Sequence, residues 1–173
     1  IQGCLAPSEL QLTPFEMMTV LAFRAFAQAR VDIAVVEAGL GGRLDATNVL
    51  SPVVSVITTI GLDHQQYLGP TLSDIAREKG GIIKSGVPVV IGKLEAESLS
   101  ILRRTAQDRH CPTLIYDQDF MLQEDASGCS GYRGQQWQFD DLPVPLHGKF
   151  QKRNAAVACA ALECIQEVFP VTA

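Results

Sequence analysis

Glu37, Asp63, His64 and Lys79 are the side chains whose types and spacing could do chemistry. Glu37 opens the run Glu37-Ala38-Gly39-Leu40-Gly41-Gly42-Arg43-Leu44-Asp45-Ala46-Thr47-Asn48. Asp63 and His64 close a second run, Gly61-Leu62-Asp63-His64. Each run follows an apolar stretch that reads as a strand, and in open parallel sheets ligands bind beyond the carboxyl ends of the strands. If the two strands are neighbours, Glu37, Asp63 and His64 point into one crevice. Carboxylate oxygens suit Mg2+, whereas imidazole is a less usual ligand for so hard an ion. The plainer alternative is a Glu and a His satisfied by loop backbone groups. Lys79 sits at the end of a predicted helix beside Glu78. Spacing alone makes it a solvated lysine favoured by the helix C-terminus.

Two segments superficially resemble phosphate-binding loops. Gly39-x-Gly41 begins like a dinucleotide fingerprint, but Leu44 takes the third glycine position. Charged Arg43 and Asp45 stand where a helix should open, so the fingerprint fails. Gly86 to Gly92-Lys93 is one residue too long for a Walker A loop, and Leu94 stands where Ser or Thr should meet Mg2+. It reads as a strand with turn residues at both ends.

The elements that must position these residues follow from pattern. Thr13-Pro14-Phe15-Glu16 is a helix start with a capping box and proline at the first helical position. Phe15, Met18, Ala22 and Phe26 continue it as an apolar stripe to about Gln28. Ile33-Ala34-Val35-Val36 reads as a strand buried on both faces. Val53 to Ile60, Pro88 to Ile91 and Pro112 to Tyr116 read as further strands. Thr71 and Asp74 start a helix that Gly80-Gly81 ends, and Glu95 to Arg109 forms another with Leu99 and Leu102 inward. This alternation predicts an α/β fold, an open and mostly parallel sheet with helices on its faces. From Phe120 to Leu146 short strands without intervening helices, split at Ser127-Gly128, predict a small antiparallel excursion. A last helix runs from about Gln151 to Val168.

The chain has 173 residues, 47% hydrophobic and 19% charged, which suits one globular domain. A net charge of -5 with scattered basic pairs argues against nucleic acid as a partner. No apolar run has the ~20 residues of a membrane helix, and no signal peptide is visible at Ile1-Gln2-Gly3-Cys4. The first residue is not Met, which is expected of a processed chain or a piece of a longer one. Five cysteines without a C-x-x-C pair suit a reducing cytoplasm. Cys159 and Cys164 fall in an apolar helical stretch and read as core residues.

The segment Val35-Val36-Glu37 through Asn48 resembles the corresponding run of folylpolyglutamate synthases and bifunctional dihydrofolate synthases, of the Mur ligase superfamily. Gly61-Leu62-Asp63-His64, Leu68-Gly69 and Ala76-x-Glu78-Lys79-x-Gly81-Ile82-Ile83-Lys84 continue the match in order, and Leu12-Thr13-x-Phe15-Glu16 precedes it. The match covers about residues 10–165. The Asp-His and Lys elements are shared among Mur ligases, while Gly-Gly-Arg-Leu-Asp-Ala-Thr-Asn points to the folate branch.

This resemblance implies a Mur ligase central domain of the P-loop NTPase-like kind, occupying residues 1–173 and lacking its phosphate loop. It implies an ATP-dependent amide ligase adding L-glutamate to dihydropteroate or folate through an acyl phosphate. Glu37 and His64 match positions that hold Mg2+. Lys79 matches a lysine that CO2 converts to a carbamate, itself a metal ligand. Thr13, Phe15, Asp45 and Ala46 match positions near the pterin. Gln151 and Asn154 match a His-Gln-x-x-Asn-Ala segment whose Asn reads the adenine edge, with Phe150 here in place of the His. The family's glycine-rich ATP loop and its C-terminal domain are not found in these residues, so the chain alone is expected to be inactive. Two readings compete: another Mur-type ligase acting on a cell-wall precursor or amino acid polymer, and a non-catalytic domain that lost its ATP loop.

Overall fold

A computed structural model describes residues 12–124 and 130–171. The expected turn at Ser127-Gly128, and Cys4 and Cys129, lie outside the described residues. Helix α1 spans Pro14–Ala29, and the Thr13 capping box is present. The Glu16 N–H donates to the Thr13 hydroxyl at 3.2 Å, and Thr13 N–H donates to Glu16 Oε2 at 2.7 Å. A short 3-10 helix, Ala46–Val49, precedes strand β1 (Ser55–Ile57). Then come α2 (Gln65–Leu68), α3 (Leu72–Gly80), β2 (Val89–Ile91), α4 (Ala96–Asp108) and β3 (Thr113–Ile115). Strands β4 (Met121–Glu124), β5 (Ser130–Arg133) and β6 (Gln138–Phe139) lead to α5 (Lys149–Ile165).

The sheet β1-β2-β3 is parallel, with Val56, Val90 and Leu114 in one row and Ile57, Ile91 and Ile115 in the next. Successive residues point to opposite faces, so the two rows supply two cores. Ile57, Ile91 and Ile115 join Leu102 and Ala106 of α4. Val90 and Leu114 join Ala156, Val157 and Ala160 of α5, with Phe120 and Tyr132 of the antiparallel excursion. Both crossovers step the same way across the sheet, so right-handed connections put α3 and α4 on one face. Helix α5 returns to cover the other. The doubly covered sheet and the antiparallel β4-β5-β6 excursion are as expected.

Two expectations fail. Residues 33–36 form no strand, and Val35 is 94% exposed. Nor is the stripe of α1 a core face. Phe15 is 45% exposed and Met18 65%, and Thr19 is the buried residue of the helix. Composition says that these side chains favour burial. It does not supply a neighbour to bury them, and among the described elements α1 meets chiefly the short 3-10 helix. The predicted strands also shorten to three residues each in the parallel sheet.

Candidate functional site

Asp45 organises the 39–48 loop. Its Oδ2 accepts from the N–H groups of Gly39 (2.9 Å) and Leu40 (3.1 Å). Its Oδ1 accepts from the N–H and hydroxyl of Thr47, at 2.9 and 2.6 Å, capping the 3-10 helix. Partial burial works against the charge, but the hydrogen bonds from Thr47, Leu40 and Gly39 outweigh it and hold the carboxyl below its usual range. Both carboxylate oxygens are therefore engaged within the loop.

Phe15, in the first turn of α1, lies against this loop. A Cβ at Gly39 would sit 2.7 Å from the Phe15 ring, so only glycine lets the ring approach the backbone here. Phe15 remains partly exposed. Thr13 caps the same turn, and the half-buried Ala46 starts the helix that α1 meets. Thr13, Phe15, Asp45 and Ala46 are thus gathered around one α1–loop junction.

The loop is also fastened to the end of α3. Arg43 donates from Nε and Nη2 to Glu78 Oε1, at 3.0 and 2.9 Å, and its N–H donates to the Glu78 carbonyl at 2.8 Å. Asn48 Nδ2 donates to the carbonyls of Arg43 (3.0 Å) and Gly81 (3.3 Å), and Lys84 Nζ donates to the Asn48 carbonyl at 2.8 Å. Lys79 lies in this anchored turn. It is half-buried, and among the described residues its amine has neither ion pair nor hydrogen bond.

His64 takes a left-handed conformation (φ 51°) just beyond β1, where its N–H donates to Asp63 Oδ1 at 2.7 Å. Its Nε2 lies 3.6 Å from Asp63 Oδ2, and both side chains are more than half exposed. The Glu37 carboxylate is exposed and makes no ion pair or hydrogen bond among the described residues. Among those residues no three His, Cys, Asp or Glu side chains converge on a metal position. The strand expected at 33–36, which was to set Glu37 beside Asp63 and His64 at the sheet edge, is not formed among the described residues.

Gln151 and Asn154 lie in the first two turns of α5, with Asn154 Nδ2 donating to Gln151 Oε1 at 3.4 Å. Arg153 between them lines a cleft of about 320 Å³ with Lys93, Tyr116 and Asp117. Lys93 and Asp117 follow β2 and β3 and are paired at 2.7 Å. The start of α5 thus lies at the carboxyl edge of the sheet, the edge that also carries His64.

Sequence reasoning missed the Arg43–Glu78 and Asn48–Lys84 contacts, which join residues more than thirty positions apart. It also missed Glu163, buried in α5, whose carboxylate accepts the N–H groups of Gln135 (3.0 Å) and Trp137 (2.8 Å). A charged residue inside the run Ala160-Ala161-Leu162-Glu163-Cys164-Ile165 was the available signal.

A parallel sheet covered by helices on both faces, with loops at its carboxyl edge, defines an open α/β domain of the doubly wound kind. The chain belongs to the Mur ligase middle-domain family, whose model matches residues 3–162. It is 39% identical over 171 residues to the folylpolyglutamate synthase of Lacticaseibacillus casei, covering 95% of this chain and 40% of that protein. It is 38% identical over 162 residues to the dihydrofolate synthase/folylpolyglutamate synthase of Bacillus subtilis, covering 91% and 38%. Among solved structures, an FPGS–AMPPCP–folate complex superposes with a TM-score of 0.90 at 38% identity, covering 95% of this chain and 42% of that one. The chain therefore spans about 40% of the length of these relatives.

Proposed function

We propose that this chain is the central part of an ATP-dependent ligase joining L-glutamate to dihydropteroate or to a folate. The observation that carries the reading is the junction of Phe15, the Asp45-centred loop and the turn bearing Lys79. Relatives named as folate synthases, at 38–39% identity, favour it over a ligase of cell-wall precursors. A Glu37 carboxylate and a Lys79 amine without partners among the described residues favour it over an idle domain.

In the proposed reaction the acceptor's carboxylate attacks the γ-phosphorus of ATP. ADP leaves and an acyl phosphate remains. The amine of L-glutamate then attacks the acyl carbon, phosphate leaves with its bonding electrons, and the amine loses a proton as the amide forms. Phe15, partly exposed, would stack its ring on the pterin. Asp45, with both oxygens engaged, would act by holding the 39–40 peptide and Ala46 in place, and Thr13 by fixing the first turn of α1. Asn154, beside Gln151, would read the adenine edge.

Mg2+ is commonly held by one or two protein carboxylates, with water and phosphate oxygens completing its shell. Glu37 fits that pattern through its free carboxylate, with His64 as a nitrogen donor. The ion would stabilise charge developing on phosphoryl oxygens. The Lys79 ammonium would first lose a proton; the neutral amine would then form an N–C bond to CO2 and lose a second proton, so that the charge changes from positive to negative. The carbamate offers oxygens to a second ion. The rest of the ligase polypeptide is the expected partner. A cytoplasmic site of action belongs to the same proposal. No helix among the described residues is long and apolar enough to cross a membrane.

Calorimetric titration with Mg2+ and ADP tests the site. Binding should weaken at least about tenfold, ~1.4 kcal/mol, in Glu37→Ala and His64→Ala. Unchanged binding in both variants would remove the metal assignment. The chain alone should release no ADP in a glutamate-dependent way, because positioning of ATP and amine can supply up to ~7–11 kcal/mol of barrier reduction.

A further inference from the structure

We propose that Arg43 and Glu78 are positioning residues, whose pair places the 39–48 loop against the turn bearing Lys79. The inference rests on the roles proposed above for that loop and that lysine. The grip is double. The Arg43 fork meets Glu78 Oε1 at 3.0 and 2.9 Å, while the Arg43 N–H meets the Glu78 carbonyl at 2.8 Å. Gly81, two residues beyond Lys79, packs so closely on the Arg43 backbone that a Cβ there would overlap it. Asn48 bridges the Arg43 and Gly81 carbonyls, and Lys84 reaches the Asn48 carbonyl. Lys79 is therefore enclosed between two fixed points.

The pair's side chains are 55% and 25% exposed. Ion pairs so exposed add little to global stability. A planar guanidinium fork does fix direction, which a lysine at the same place cannot match. The loop's own shape is held separately, by Asp45 on Gly39, Leu40 and Thr47. Loss of the Arg43–Glu78 pair should leave the loop folded but misplaced relative to Lys79.

Two measurements on the intact chain test this. The first is amide exchange in wild type, Arg43→Met, Glu78→Gln, Arg43→Lys and the Arg43→Met/Glu78→Gln double variant. The Arg43, Gly81 and Ile82 amides should exchange about tenfold faster in Arg43→Met and Glu78→Gln, while Gly39 and Thr47 change little. Arg43→Lys should fall between, and the double variant should be no worse than either single one. Exchange at Arg43 and Ile82 within about twofold of wild type in both single variants overturns the proposal.

The second measurement is the 13C carbamate signal formed from labelled bicarbonate, with Lys79→Ala as the blank. It should drop several-fold in Arg43→Met and Glu78→Gln but persist in Leu114→Ala, which weakens the core on the α5 face of the sheet. An equal loss in Leu114→Ala makes the pair merely structural and overturns the positioning role. Absence of the signal in wild type refutes the Lys79 reading instead, and the exchange data then decide on the pair alone.

Discussion

Substitution of Asp45 should separate loop order from core stability. Asp45→Ala removes the acceptor for four donors: the N–H groups of Gly39, Leu40 and Thr47, and the Thr47 hydroxyl. Loss of a helix cap costs ~1 kcal/mol. The Gly39 and Leu40 positions are exposed, so their N–H groups regain water and each lost bond costs only ~0.5 kcal/mol net. The sum is ~2 kcal/mol, and at ~2–4 °C per kcal/mol for a domain of this size Tm should fall by ~4–8 °C. Asp45→Asn keeps one oxygen acceptor and should lose about half as much. Denaturant melts of the three proteins, fitted with a common m-value, supply the comparison. The folate binding proposed above should weaken further in the Ala variant than its stability loss implies, because the peptide beneath Phe15 is released. A stability change below ~0.5 kcal/mol, within the scatter of ordinary surface substitutions, would refute the idea that this carboxylate organises the loop.

Glu163→Ala should cost ~2–4 kcal/mol, since it leaves the inward N–H groups of Gln135 and Trp137 without their charged acceptor. A urea melt followed by Trp137 fluorescence reads it directly. Leu102→Ala should cost ~2–5 kcal/mol by opening a cavity beneath the sheet, seen in the same melt. Acid should destabilise the 39–48 loop. The Asp45 carboxyl is depressed on folding, so its contribution is full above the unfolded value of 3.8 and fades as pH falls through the lower folded value. Loop amide exchange against pH shows that window. At alkaline pH the sign reverses: burial, and then the charge of Glu163, push Cys164 up to about 11 from 9.0. Stability should therefore fall as pH rises from about 9 to about 11, where the unfolded thiol ionises and the folded one resists. A Tm profile flat across that range in wild type, or unchanged by Cys164→Ala, would refute it.

Local signals carried much of the fold. Thr13-Pro14-Phe15-Glu16 and Thr71 with Asp74 specify helix starts because the capping groups lie within one turn of each other. Val89-Val90-Ile91 and Thr113-Leu114-Ile115 read as buried strands because both faces are apolar, and both faces are indeed covered. Gly86, at φ 74°, turns the chain ahead of β2, whereas Gly92 after it is no turn residue and donates its N–H to the Ile57 carbonyl at 2.8 Å. The run from Glu37 to Asn48 pointed to a family without revealing what each residue holds.

Tertiary structure decided what depends on a distant neighbour. Residues 33–36 have the composition of a strand, but pairing needs a partner edge, and Val35 stays exposed without one. The stripe of α1 names a face, and only packing could say what meets it. Phe15 against Gly39, Arg43 on Glu78, Asn48 on Gly81 and Glu163 beneath Gln135 and Trp137 join positions from 24 to 35 residues apart. Sequence fixes which groups can donate, accept or stack, because that is a property of the side chain. Which of them meet around Lys79 is a property of the folded path between them.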